Sequence, residues 1–197
     1  MSLLNRITGT LTFNRFVIEE IKVSSPLSKE SLLLLIIAWF CGALANLLSG
    51  GVVTLIPLPV AITNPLVEFF VSLAFQAFFT LTWFFLAAII GNIVGQEASF
   101  IEITRCMGYA YIISALRLIP ALMIFSGIVP EAATILNLLI LVWALVNTIY
   151  VLIVALDCSE IFLAIIVAII AVLIAAIVVF VVGLFVVPAL GTGGLGL

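Results

Sequence analysis

Residues 91–120 read GNIVGQEASFIEITRCMGYAYIISALRLIP, a polar, charged hinge between two long apolar blocks. A helix crossing the hydrocarbon of a bilayer needs about 20 apolar residues at about 1.5 Å each. Measured on that ruler, the chain outward from the hinge divides into five apolar spans, residues 31–51, 66–94, 108–128, 132–156 and 161–187. Each block is long and continuous, without the short alternating pattern of a membrane barrel, so helices are expected.

Composition supports this parse. Of 197 residues, 66% are hydrophobic and 8% charged, and six Lys and Arg with nine Asp and Glu cannot cover a water-soluble fold of this size. The expected fold is therefore an all-α integral membrane bundle of five transmembrane helices. A net charge of -3 without a basic patch excludes a nucleic-acid partner. Histidine is absent, which removes the commonest metal ligand and the commonest general base, so neither an enzyme nor a bound cofactor is expected. Cys41, Cys106 and Cys158 are odd in number and lack metal-ligand spacing. They read as small buried hydrophobes.

Residues 1–30 precede the first span, and within them LTFNRFVIEEIKVSSP sets Leu11, Phe13, Phe16, Val17 and Ile21 near one helical face, with Arg15, Glu19 and Lys22 on the other. That pattern predicts an amphipathic helix, either lying in the membrane interface or packed on the protein's own inner face. Asn64 before Pro65 marks a helix start, and Glu68 falls in the first turn. Ser99 with Glu102, and Asp157 with Glu160, have capping-box spacing. Beyond residues 31–188, a glycine-rich tail spans residues 189–197.

Basic residues in short loops set membrane orientation. Arg6, Arg15, Lys22 and Lys29 precede the first span and Arg105 lies in the second loop, which places the N-terminus in the cytoplasm. The chain has no internal repeat and no Asp or Glu deep in a span, which weighs against a secondary transporter or a proton relay.

Arg117 is the one ionisable residue near the middle of a span, where an isolated charge costs at least about 2.5 to 3.5 kcal/mol. Pro120 frees the carbonyl of Leu116 beside it, and Glu68 and Glu131 are the candidate charged partners if the side chain extends outward. Such a polar site suits a ligand, a lipid headgroup or a structural tie between helices. Gln76, Asn92, Asn137 and Asn147 are expected to hydrogen-bond between helices. In the last span Ala164, Ala168, Ala171 and Ala175 form a small-residue stripe that lets another helix approach closely. A third grouping, Ser99, Phe100, Glu102, Arg105, Asp157 and Glu160, falls at the cytoplasmic face. There Phe100, Ile103 and Met107 are expected in the interface while Glu97, Glu102 and Arg105 face water, a candidate partner surface.

The run GQEASFIEITRCMGYAY, followed by WALVNTIYVLIVALDCSEIFLAII, resembles the membrane domain of the Yip (Ypt-interacting protein) family in its prokaryotic form. Gly95, Ser99, Phe100, Arg105, Gly108, Tyr109, Trp143, Ala155, Leu156, Asp157 and Ser159 carry the likeness, together with the opening LTFNRFVIEEI. The resemblance implies a five-helix bundle with a cytoplasmic N-terminus, in the cytoplasmic membrane of a prokaryote. Eukaryotic members are linked to small GTPases of the Rab type. This chain lacks their Asp-Leu-Tyr-Gly-Pro element and carries Gln96 where a second glycine is usual, which leaves GTPase binding doubtful. The expected role is a non-enzymatic membrane scaffold or organiser whose partners are the lipid bilayer and other membrane proteins. The alternatives are an accessory subunit of a larger membrane complex, such as an energy-converting assembly, or a small-solute channel or carrier using Arg117.

Overall fold

The structure, a computed structural model, describes residues 1–53, 64–96, 99–127, 129–158 and 160–191, with side chains as far as residue 186. The described residues form helices without a strand: α1 (Leu3–Leu11), α2 (Arg15–Val23), α3 (Leu27–Leu48), α4 (Pro65–Ile93), α5 (Phe100–Tyr111), a 3-10 segment (Ile112–Arg117), α6 (Leu118–Phe125), α7 (Pro130–Ala155) and α8 (Ile161–Gly191). Five stretches are long and apolar enough to cross a membrane: α3, α4, Phe100–Phe125, α7 and Ile161–Val186 of α8. The first loop's prolines Pro57 and Pro59, and the tail from residue 192, lie outside the described residues.

The chain is an integral membrane protein by the same test that excludes water. Ile135, Leu138, Leu139, Leu145, Ile177, Phe180 and Phe185 stand exposed around the bundle, a belt only lipid or another apolar surface can cover. The core lies inside that belt, where Leu35, Phe84, Ile103, Met107, Leu152 and Leu156 are fully buried.

Two expectations need correction. The amphipathic segment is two helices, because the Asn14 side chain caps α2 at the Val17 N–H and Phe13 turns the chain in the left-handed region at φ 61°. Val17, Ile18 and Ile21 then point into the bundle, whereas Phe16 is 80% exposed. The helix is thus docked on the protein itself, against α5 and α7. Second, the third crossing begins at Phe100 rather than near Gly108. Residues 99–107 do not form a separate interfacial helix: Ile103 and Met107 are core residues, and α2 and α3 pack against α5.

Within that crossing, the helix tightens to 3-10 geometry over Ile112–Arg117 before resuming as α6. Pro120 explains this locally, since its ring cannot donate to the Leu116 carbonyl and would press on it in a regular α-helix.

Small residues set the closest approaches. A Cβ on Gly108 would lie 1.9 Å from Ser31 Oγ and 2.5 Å from the Ser31 carbonyl oxygen, so α5 and α3 touch backbone to backbone. On Gly42 a Cβ would meet Gln76 Oε1 of α4 at 2.2 Å. The start of α3, the end of α4, the start of α5 and the end of α7 therefore share one end of the bundle, here the amino-terminal end; Gly91 against Leu156 joins the other two of these.

Candidate functional site

The amino-terminal end carries most of the protein's charge, and three of its cations, Arg6, Lys22 and Arg105, are buried. Glu30, in the first turn of α3, accepts from Arg6 Nη2 at 2.6 Å and from the Tyr109 hydroxyl at 2.6 Å, joining α1, α3 and α5. Arg6 Nη1 also donates to the Met1 carbonyl at 2.6 Å. Burial of Arg6 works against its charge, but the hydrogen bonds to Glu30 and Tyr109 outweigh it and hold the guanidinium above its ordinary range. Charge-assisted bonds of this kind are about twice as strong as neutral ones.

A second tie runs from α2. Lys22 is paired with Asp157, which sits just past α7 in the left-handed region at φ 53°. The Lys22 carbonyl accepts from Arg105 Nη1, and Arg105 Nε donates to Ser28 Oγ at 3.0 Å. Ser31 Oγ donates to the Thr104 carbonyl at 2.8 Å beside Gly108. Arg105 and Asp157 thus fasten α2 to the bundle and Tyr109, through Glu30, holds α1, while Gly108 lets α5 meet α3.

This arrangement changes the reading of the cytoplasmic-face group. Arg105 does not face water; it is 6% exposed, because the turn after α2 supplies the acceptors its donors need. Ser99 and Glu102 form the expected capping box, with the Glu102 N–H to Ser99 Oγ at 3.2 Å and the Ser99 N–H to Glu102 Oε2 at 2.9 Å. Phe100 is half-buried with its ring edge-on to Phe85 at 6.1 Å. Asp157 turns to Lys22, and Glu160 stands exposed. Glu97 and Ser159 lie outside the described residues.

Arg117 meets neither proposed carboxylate. The Glu68 carboxylate accepts from Asn46 Nδ2 at 3.3 Å, and Glu131 is exposed in the first turn of α7. Arg117 is instead 3% exposed, its Nε 3.4 Å from Asn137 Oδ1, while Nη2 has no hydrogen-bond partner among the described residues. The 3-10 segment keeps the side chain inside the bundle, so it does not extend outward. Asn147, also expected to tie helices, is fully buried with both amide atoms unpartnered. Gln76 Nε2 donates within its own helix to Ser72 Oγ at 3.2 Å.

The alanine stripe serves the protein's own interior. Ala164, Ala171 and Ala175 are fully buried and Ala168 nearly so, on the side of α8 that packs principally on α4. Close approach is what small residues permit, and here the approaching helix belongs to the same chain.

The Arg6–Glu30–Tyr109 group was not singled out from sequence. Its signal was Glu30, the sole acidic residue between Glu20 and Glu68, placed where an apolar block begins.

Fold and site together define a polytopic helical membrane protein whose amino-terminal helices are strapped to the bundle by buried cations. No family model, curated protein or solved structure matches the chain.

Proposed function

We propose that this is a non-enzymatic, Yip-like integral membrane protein that acts as a scaffold or organiser through protein–protein contacts. Its N-terminus lies in the cytoplasm, and its setting is the cytoplasmic membrane of a prokaryote. The observation that carries this reading is the strapped amino-terminal end: polar side chains that could do chemistry are held by one another, while large apolar surface faces outward. A rigid body with an apolar exterior suits packing against other membrane proteins. Orientation follows from charge, since Arg6, Arg15, Lys22, Lys29 and Arg105 all gather at that end and only Arg117 lies elsewhere.

The test is gentle extraction of the native membrane, followed by native electrophoresis and mass spectrometry. Migration alone or as a small homo-oligomer, with weaker partners captured by cross-linking, is the expected result. Comigration at fixed stoichiometry with a larger assembly would replace the independent organiser by an accessory subunit.

One observation favours a second reading. The unpartnered Nη2 of buried Arg117 is a donor available to an anionic solute, as a channel or carrier would require. In liposomes that reading predicts anion flux in the parent protein and its loss in folded Arg117→Ala. Absence of flux in the parent would remove it.

A further inference from the structure

Between α4, the end of α5, the 3-10 segment, α7 and α8 lies a cavity of about 260 Å³. Its wall is mostly apolar, and the exposed Leu145 and Val172 among its lining residues put its mouth on the lipid-facing surface between α7 and α8. Ser114 of the 3-10 segment, Thr148 of α7 and Trp83 of α4 are among the residues that line it.

The two hydroxyls are unpaired among the described residues. The hydroxyls of Thr8, Thr10, Thr80, Thr104, Ser126 and Thr134 satisfy themselves by donating to the carbonyl four residues back. Neither Ser114 nor Thr148 does so, and neither hydroxyl has a partner among the described residues. Trp83 is 3% exposed and its indole N–H likewise has no acceptor. The Tyr111 hydroxyl in the same wall is accounted for by Thr80 at 3.3 Å. Hydrocarbon cannot satisfy such groups, and a donor left without an acceptor in a low-dielectric setting is costly.

We infer that the cavity binds a small lipid-phase carbonyl compound, an apolar ring system bearing acceptor oxygens, which enters sideways from the bilayer. The apolar wall takes the ring, and the Ser114 and Thr148 hydroxyls donate to its oxygens. Size agrees: a dry cavity of about 150 Å³ already admits benzene, so this one accommodates a bicyclic ring. The binding is independent of the scaffold role proposed above.

The probe is 2-methyl-1,4-naphthoquinone, added to the full chain in phosphatidylcholine nanodiscs and read by quenching of tryptophan fluorescence. A saturable component of quenching is expected. Ala144→Leu, which fills the cavity from α7, should abolish that component. The Ser114→Ala/Thr148→Val pair keeps the volume but removes both hydroxyls, and should weaken binding by about tenfold. Decalin, a bicyclic hydrocarbon without oxygen, should not displace the quinone at equal mole fraction. Far-UV circular dichroism and elution volume verify folding of each variant, and if Ala144→Leu does not fold the volume-conserving pair decides. Quenching that is linear and identical in parent and variants is partition into lipid and overturns the site. Saturable binding that decalin displaces and the hydroxyl pair does not weaken overturns the carbonyl assignment.

Discussion

Gly108→Ala and Gly42→Ala make the same chemical change in two helices, and the structure predicts a clear loss of stability from the first and almost none from the second. Each alanine gains about 1 kcal/mol of helix propensity. At Gly108 the new methyl would lie 2.5 Å from the backbone oxygen of Ser31 and 1.9 Å from its hydroxyl, so α5 and α3 must separate. Overpacking of this kind costs about 1 to 3 kcal/mol. Displacing Ser31 also weakens its 2.8 Å bond to the Thr104 carbonyl, about 1 kcal/mol more. The net expectation is a loss of about 1 to 3 kcal/mol. At Gly42 the obstacle is the far end of Gln76, whose Oε1 lies 2.2 Å from the added atom and can swing aside. The cost there is the 3.2 Å contact of Gln76 with Ser72, and the helix gain offsets it to within about 0.5 kcal/mol. Unfolding in mixed micelles by SDS titration, followed by far-UV circular dichroism, measures both. Adding Ser31→Ala to Gly108→Ala should restore only part of the loss, because the backbone oxygen remains. A Gly108→Ala protein as stable as the parent would refute the backbone contact between α3 and α5, and a Gly42→Ala protein that loses more than about 0.5 kcal/mol would refute the reading that Gln76 swings aside.

Three further outcomes are expected. Glu30→Gln removes the charge that holds Arg6 and Tyr109 and should loosen α1 by about 1 to 2 kcal/mol, seen as faster amide hydrogen exchange in residues 3–11 with the bundle's own exchange unchanged. Asn147→Leu replaces two unpartnered polar atoms by hydrocarbon and should raise stability by about 1 kcal/mol; a drop in the SDS midpoint would show that the amide has a partner after all. Ala171→Leu should cost about 1 to 3 kcal/mol by forcing α8 off its neighbours, whereas Ile177→Ala on the exposed side should change stability by under about 0.5 kcal/mol.

What could be read from the residues was whatever depends on a single segment. The five crossings follow from length and apolarity, and the caps at Asn64–Pro65 and Ser99–Glu102 follow from side chains that reach only their own helix. Arg105 shows where that stops. Next to Glu102 at the edge of an apolar block it looks solvated, and only the arrival of the Lys22 carbonyl, 83 positions away, turns it inward. Ala164 to Ala175 likewise announce a close neighbour without naming it, because a smooth face fits a helix of the same chain as well as a foreign one. The same reasoning misled for Arg117, where charge complementarity pointed to Glu68 and Glu131 and the 3-10 segment directed the side chain to Asn137 instead.

That 3-10 segment also changes the rotational phase of the third crossing. Each residue turns the chain by about 120° in 3-10 geometry against about 100° in an α-helix, so six residues accumulate a shift of about a third of a turn. The two halves of one transmembrane rod therefore present differently rotated faces. Below the segment, α5 meets α1, α2 and α4 as well as α3 and α7; above it, α6 packs chiefly on α3 and α7 and sets Ala121 against Ala45 and Val53. A single crossing thereby turns different faces to α3 and α7 at two depths and leaves its other neighbours behind halfway, at a step set beside one proline.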